Sequence, residues 1–119
     1  MAKRNQGEIW IAKLYPTRGA EVGKTRPVLI IQGQDLLELD YETTLVMPLT
    51  SQIRKDSYPI RIPFKARGKL KDASDIMVDQ VKSLDNSRFT EGPIAVLTHK
   101  EITAVLEALS LVLHPTYSD

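Results

Sequence analysis

The chain has 119 residues, no cysteine, a formal net charge of +1 and 42% hydrophobic residues. That suffices for one domain with a single core, and it excludes disulfides, thiolate metal sites and cysteine nucleophiles. No apolar run reaches the roughly 18 residues of a membrane span, and no hydrophobic signal stretch follows the basic start Met1–Gly7, so a single cytoplasmic domain over residues 1–119 is expected.

Glu8–Leu14 reads as the first strand. Trp10, Ala12 and Leu14 share one face, but Ile9 and Ile11 are apolar too, so both faces are covered. Tyr15–Lys24 contains Pro16, Gly19 and Gly23 and is a long loop. The second strand, Pro27–Gln32, carries the aliphatic run Val28–Ile31, the mark of burial on both faces. Arg26 stands where loop meets strand, its backbone held extended by Pro27. A guanidinium fixed at such a junction suits a site, and pairing with a nearby carboxylate such as Glu21 is the alternative.

Gly33–Glu42 is an acidic connection in which Leu36, Leu37 and Leu39 can form a helical turn. Thr43–Leu49 is a third strand, ended by Pro48 and the polar Thr50-Ser51-Gln52. Pro59–Phe64 is a fourth, which its prolines confine to an edge or keep short. Asp75–Val81 alternates as a fifth, Ser83–Phe89 reads as one helical turn in which Arg88 pairs with Asp85, and Pro93–Leu97 is a short last strand. Thr98 with Glu101 makes a capping box, and Ile102, Val105, Leu106, Leu109, Val112 and Leu113 then form an apolar stripe ending at His114-Pro115. Five or six short strands and one terminal helix predict a mainly β fold, a curved antiparallel sheet or partial barrel.

The charge is unevenly placed. Arg54, Lys55, Arg61, Lys65, Arg67, Lys69 and Lys71 lie close in sequence with only Asp56 opposing them. Such a segment suits a phosphate backbone or forms an ordinary solvated face. His99 and His114 flank the terminal helix, and no metal-ligand spacing or glycine-rich phosphate loop is present. What remains is a set of polar residues at strand ends: Glu21, Arg26, Thr50, Ser51, Asp79, Gln80 and Lys82. Arg supplies a bidentate fork and Thr a hydroxyl, a pair that can grip a phosphate. If the phosphate belongs to RNA, its 2′-hydroxyl can be the nucleophile, and the chemistry needs no metal, cofactor, cysteine or histidine.

Gly7-Glu8-Ile9-Trp10, Pro16-Thr17-Arg18-Gly19-Ala20-Glu21, Arg26-Pro27-Val28-Leu29-Ile30, Pro48-Leu49-Thr50-Ser51 and Asp79-Gln80-Val81-Lys82-Ser83 resemble, in order and spacing, the MazF/PemK family of toxins. The resemblance implies an SH3-like barrel of the CcdB/PemK type with a C-terminal helix, usually a homodimer. It implies metal-independent, sequence-specific cleavage of single-stranded RNA, blocked by a cognate antitoxin. Carried over by position, Arg26 looks like the family arginine that works on the scissile phosphate, and Thr50 like the threonine that holds the phosphoryl oxygens. Glu21, Ser51, Asp79, Gln80 and Lys82 look like substrate-binding positions. Some PemK-type members carry a histidine before the loop glutamate and an arginine two residues before the aspartate. Ala20 and Met77 stand there instead, so the resemblance favours the Arg26–Thr50 mechanism. The related CcdB-like toxins use this barrel to bind DNA gyrase without cleaving anything, which is the rival reading.

Overall fold

The computed structural model describes residues 3–14 and 24–115. Its strands form one seven-stranded antiparallel sheet in the order β4-β5-β3-β2-β1-β7, with β6 paired to β3 off this path. The elements are β1 (Glu8–Lys13), β2 (Thr25–Ile30), α1 (Gln34–Leu37), β3 (Thr43–Thr50), β4 (Arg61–Phe64), β5 (Ser74–Met77), β6 (Lys82–Asp85), β7 (Phe89–Val96) and α2 (His99–Leu113). Single 3-10 turns at Val78–Gln80 and Asn86–Arg88 flank β6.

The aliphatic run of β2 explains the layering. Leu29 and Ile31 point into a core that α2 covers through Ile102, Val105 and Ala108. Val28 and Ile30 point the other way, into a second cluster with Ala12, Leu14, Leu37, Val46 and Leu84. Trp10 and Phe89 close that cluster edge to face, their ring centroids 6.0 Å apart. The sheet is therefore buried on both sides where β2 crosses it, as the sequence pattern predicts.

β3 is the hub. One of its edges pairs with β2 through Val28–Pro48, Leu29–Met47 and Ile30–Val46. Its other edge pairs with β6 from Thr43 to Val46 and with β5 at Leu49 and Thr50. The sheet curls far enough for the Lys69 amide, beyond edge strand β4, to donate to the Ile94 carbonyl of edge strand β7 at 2.7 Å. Gly68 permits this approach: its φ is +57°, and a Cβ there would sit 2.7 Å from the same carbonyl oxygen.

Several predicted boundaries move. Arg26 lies within β2, opposite Ala12, because β2 begins at Thr25 and ends before Gln32. Pro48 does not stop β3, which runs on to Thr50. β4 begins only at Arg61, though it is an edge strand as expected. The predicted strand Asp75–Val81 breaks at Val78, since the chain must leave one half of β3 and join the other; the 3-10 turn makes that step. Ser83–Asp85, read as helical, is strand β6, and only Asn86–Arg88 turns. Ser87, not Arg88, is the main partner of Asp85: its amide and hydroxyl donate at 2.9 and 2.7 Å. These bonds hold the Asp85 carboxyl below its ordinary value, with a minor part from Arg88. β7 starts at Phe89, four residues before Pro93. On α2 the capping box forms, but Ala108 is buried while Leu106 and Leu113 are exposed.

Candidate active site

Arg26 and Thr50 sit on neighbouring strands at the same end of the sheet. The β2–β3 register pairs Val28 with Pro48, and both residues of interest lie two positions further in the same direction. Alternation puts Arg26 on the face of Val28, and Thr50 on the face of Pro48, so the two share a face. Arg26 is half-buried and Thr50 is 5% exposed. The Thr50 hydroxyl accepts from the Gln52 amide at 3.2 Å. One of its two lone pairs is thereby occupied by the turn that follows, and its own proton remains to be donated.

Ser51 and Arg26 line a pocket of about 200 Å³ whose apolar wall includes Pro27, Leu49 and Leu70. Lys82, on β6 opposite Val46, shares the sheet face of Arg26 and Thr50 by the same alternation. It stands four residues along β3 from Thr50, about 13 Å at strand rise. Asp79 and Gln80 are exposed in the 3-10 turn before β6, not on a common strand with Lys82. Glu21 lies outside the described residues. Arg26 and Thr50 thus share a face at one end of the sheet, Ser51 shares a pocket with Arg26, Lys82 lies further along the same face, and Asp79 and Gln80 occupy a separate turn. Among the described residues no group of three or more His, Asp or Glu is placed to hold a metal ion. No helix among them is long and apolar enough to cross a membrane.

The model of the PemK-like, MazF-like toxins of type II toxin–antitoxin systems matches residues 5–113. The chain belongs to this family. Its sequence is 32% identical over 109 residues to the endoribonuclease MazF of Staphylococcus saprophyticus, covering 91% of this chain and 89% of that one. It is 34% identical over 110 residues to the endoribonuclease EndoA of Bacillus subtilis, covering 91% and 92%. The toxin fold superposes on a MazE–MazF crystal structure from Deinococcus radiodurans with a TM-score of 0.72, over 95% of this chain and 98% of that one. At 20% identity that likeness is one of fold.

Two residues of this toxin-family chain escaped sequence reasoning. Asp75, directly opposite Thr50 in the β3–β5 pairing, is 1% exposed. Its Oδ2 accepts from Arg61 Nη1 at 3.2 Å and from the Arg54 amide at 2.8 Å. In the sequence Asp75 is only the first residue of a predicted strand, and Arg61 one more cation of a basic segment. Only the pairing of β4 with β5 shows that they meet. Of that basic segment, Arg67 is also committed: it donates through both terminal nitrogens to Glu101 and lies 4.4 Å over the Phe64 ring. Arg54, Lys55, Lys65, Lys69 and Lys71 are exposed.

Proposed function

We propose that this chain is the toxin of a type II toxin–antitoxin pair, an endoribonuclease that cuts single-stranded RNA at specific sequences with Arg26 and Thr50 at the scissile phosphate. The observation that carries the site is the placement of a guanidinium and a donor hydroxyl on one face, at one end of two adjacent strands. Arg26 grips the phosphoryl oxygens through its fork and Thr50 donates its hydroxyl proton to one of them. The adjacent ribose 2′-oxygen, giving its proton to water, forms a bond to phosphorus; the bond from phosphorus to the 5′-oxygen breaks, and that oxygen takes a proton from water. The products are a 2′,3′-cyclic phosphate and a 5′-hydroxyl. Charge builds on the non-bridging oxygens in the transition state, where two preplaced donors are most effective. No metal is required for these steps. Ser51 contacts the nucleotide in the pocket beside Arg26, and Lys82, Asp79, Gln80 and Glu21 border the RNA path.

The family membership and the activity for which its two relatives are named favour cleavage over a gyrase-binding role on the same barrel. The partner is a cognate antitoxin protein, as in the MazE–MazF complex of like fold. The toxin acts as a single domain over residues 1–119, as a homodimer, in the cytoplasm. The decisive experiment treats a long mixed-sequence RNA with purified toxin in EDTA. Discrete cuts that fall at least a hundredfold in Arg26→Ala and in Thr50→Ala are expected. Cleavage at the wild-type rate by either variant would remove that residue from the reaction, and intact RNA with folded wild type would turn the reading to a protein target.

A further inference from the structure

We infer that Asp75, acting through Arg61 and Gln52, is a positioning residue for the Thr50 hydroxyl. The inference rests on the reading of Thr50 just given. The turn after Thr50, Ser51–Asp56, is exposed at every residue, so burial does not fix it to the sheet. Polar bonds do. The Gln52 amide donates to Thr50 Oγ1 at 3.2 Å, and the Gln52 carbonyl accepts from Arg61 Nη1 at 2.8 Å. The same Arg61 nitrogen donates to Asp75 Oδ2, which also accepts the Arg54 amide. One buried carboxylate oxygen thus holds the turn at two points, one reached through Arg61, and sits cross-strand from the residue the turn orients.

Stability alone does not account for this carboxylate. Asp75 Oδ1 is buried with no hydrogen-bond partner, and an apolar side chain of similar volume is commonly as stabilising as a buried ion pair, or more so. What Asp75 supplies is geometry. With Gln52 locked, the Thr50 oxygen has one lone pair engaged and its O–H directed away from the turn, ready to donate. With Gln52 released, the hydroxyl becomes a free rotor, and a misplacement of about 1 Å at a reacting group can cost about a hundredfold in rate.

The test is a double-mutant cycle read by kcat and KM for a short RNA carrying the mapped cut site. Asp75→Ala is expected to lower kcat about ten- to a hundredfold with KM changed less than about threefold. Asp75→Asn keeps an acceptor oxygen and should recover most of that loss. In a Thr50→Val background, where no hydroxyl remains to orient, Asp75→Ala should lower kcat no further than about twofold. An equal further loss there would overturn the inference and leave the reading of Thr50 standing. Thr50→Val with wild-type kcat would instead overturn the reading, and the inference with it. Should Asp75→Ala fail to fold, Arg61→Ala takes its place, because it cuts the link to Gln52 while leaving Asp75 the Arg54 amide. Wild-type kcat in Arg61→Ala would equally overturn the inference.

Discussion

At the scale of single residues, Gly92 leaves no room for a side chain beside Trp10, which packs on the second core. A Cβ on Gly92 would lie 2.3 Å from the Trp10 ring, which already packs edge to face on Phe89 and has Arg4 set over it. The indole is also tied by its Nε1, which donates to Glu8 at 3.0 Å, so it cannot swing aside cheaply. Gly92→Ala should therefore destabilise the fold by about 1–3 kcal/mol, the usual range for overpacking, as read from urea unfolding. The loss should shrink in a Trp10→Leu background. Nothing in the sequence brings residues 10 and 92 together. The same limit hid the Asp75–Arg61 pair, since buried and exposed carboxylates look alike in a sequence. Arg26 and Thr50, the residues proposed for the reaction, stand out in the sequence for a different reason: they lie at the ends of apolar runs within motifs that resemble a family, while the physics of the isolated residues only permits the chemistry.

At the scale of elements, local signals held and tertiary ones did not. The capping box of α2 depends on residues three apart, and it forms as read: the Thr98 amide donates to Glu101 Oε1 at 2.8 Å and the Glu101 amide to Thr98 Oγ1 at 3.1 Å. Glu101 has a second task, pairing with Arg67 from the β4–β5 connection. Chiefly through that bond its carboxyl falls from an ordinary 4.5 to about 2. A carboxylate depressed on folding stabilises the native state above its unfolded value, and the gain disappears as pH falls through its folded value. Unfolding free energy should thus decline between about pH 4.5 and 2, and Glu101→Gln should flatten that part of the curve in denaturant titrations at several pH values. The helix meets the core along Ile102, Val105, Leu109 and Val112, as its periodicity predicts, and departs from it at one edge of the stripe. Leucines 106 and 113 satisfy the periodicity, but the curled sheet covers the line through Ile102, Val105 and Ala108, where the small alanine allows close approach. Likewise the alternation of Ile76 and Val78 persists through the break after β5. Both side chains are buried, so a period of two cannot report that the chain has changed partners.

At the scale of the molecule, the near-zero net charge conceals an exposed cationic surface. With Arg61 and Arg67 engaged by carboxylates, the exposed Lys65, Lys69 and Lys71 follow edge strand β4. Each phosphate contact they make should release counterions from single-stranded RNA, at a log–log salt slope of about 0.7 per contact. Replacing all three by Gln should weaken RNA binding at low salt and flatten its salt dependence by up to about 2 in slope, with cut positions unchanged. Fluorescence anisotropy across a salt series measures this directly; an unaltered slope would place the RNA elsewhere.

The pairing of β3 on both edges has a consequence for how long the molecule lasts once made. Its exposed turn, Ser51–Asp56, is the kind of segment a protease reaches first. A cut there separates the chain into β1–β3 and β4–α2, yet β5 and β6 remain zipped to β3, and β7 to β1. A nick therefore does not release a fragment. After cleavage in that turn alone, disposal should wait until the sheet opens, a rare global event rather than a local one.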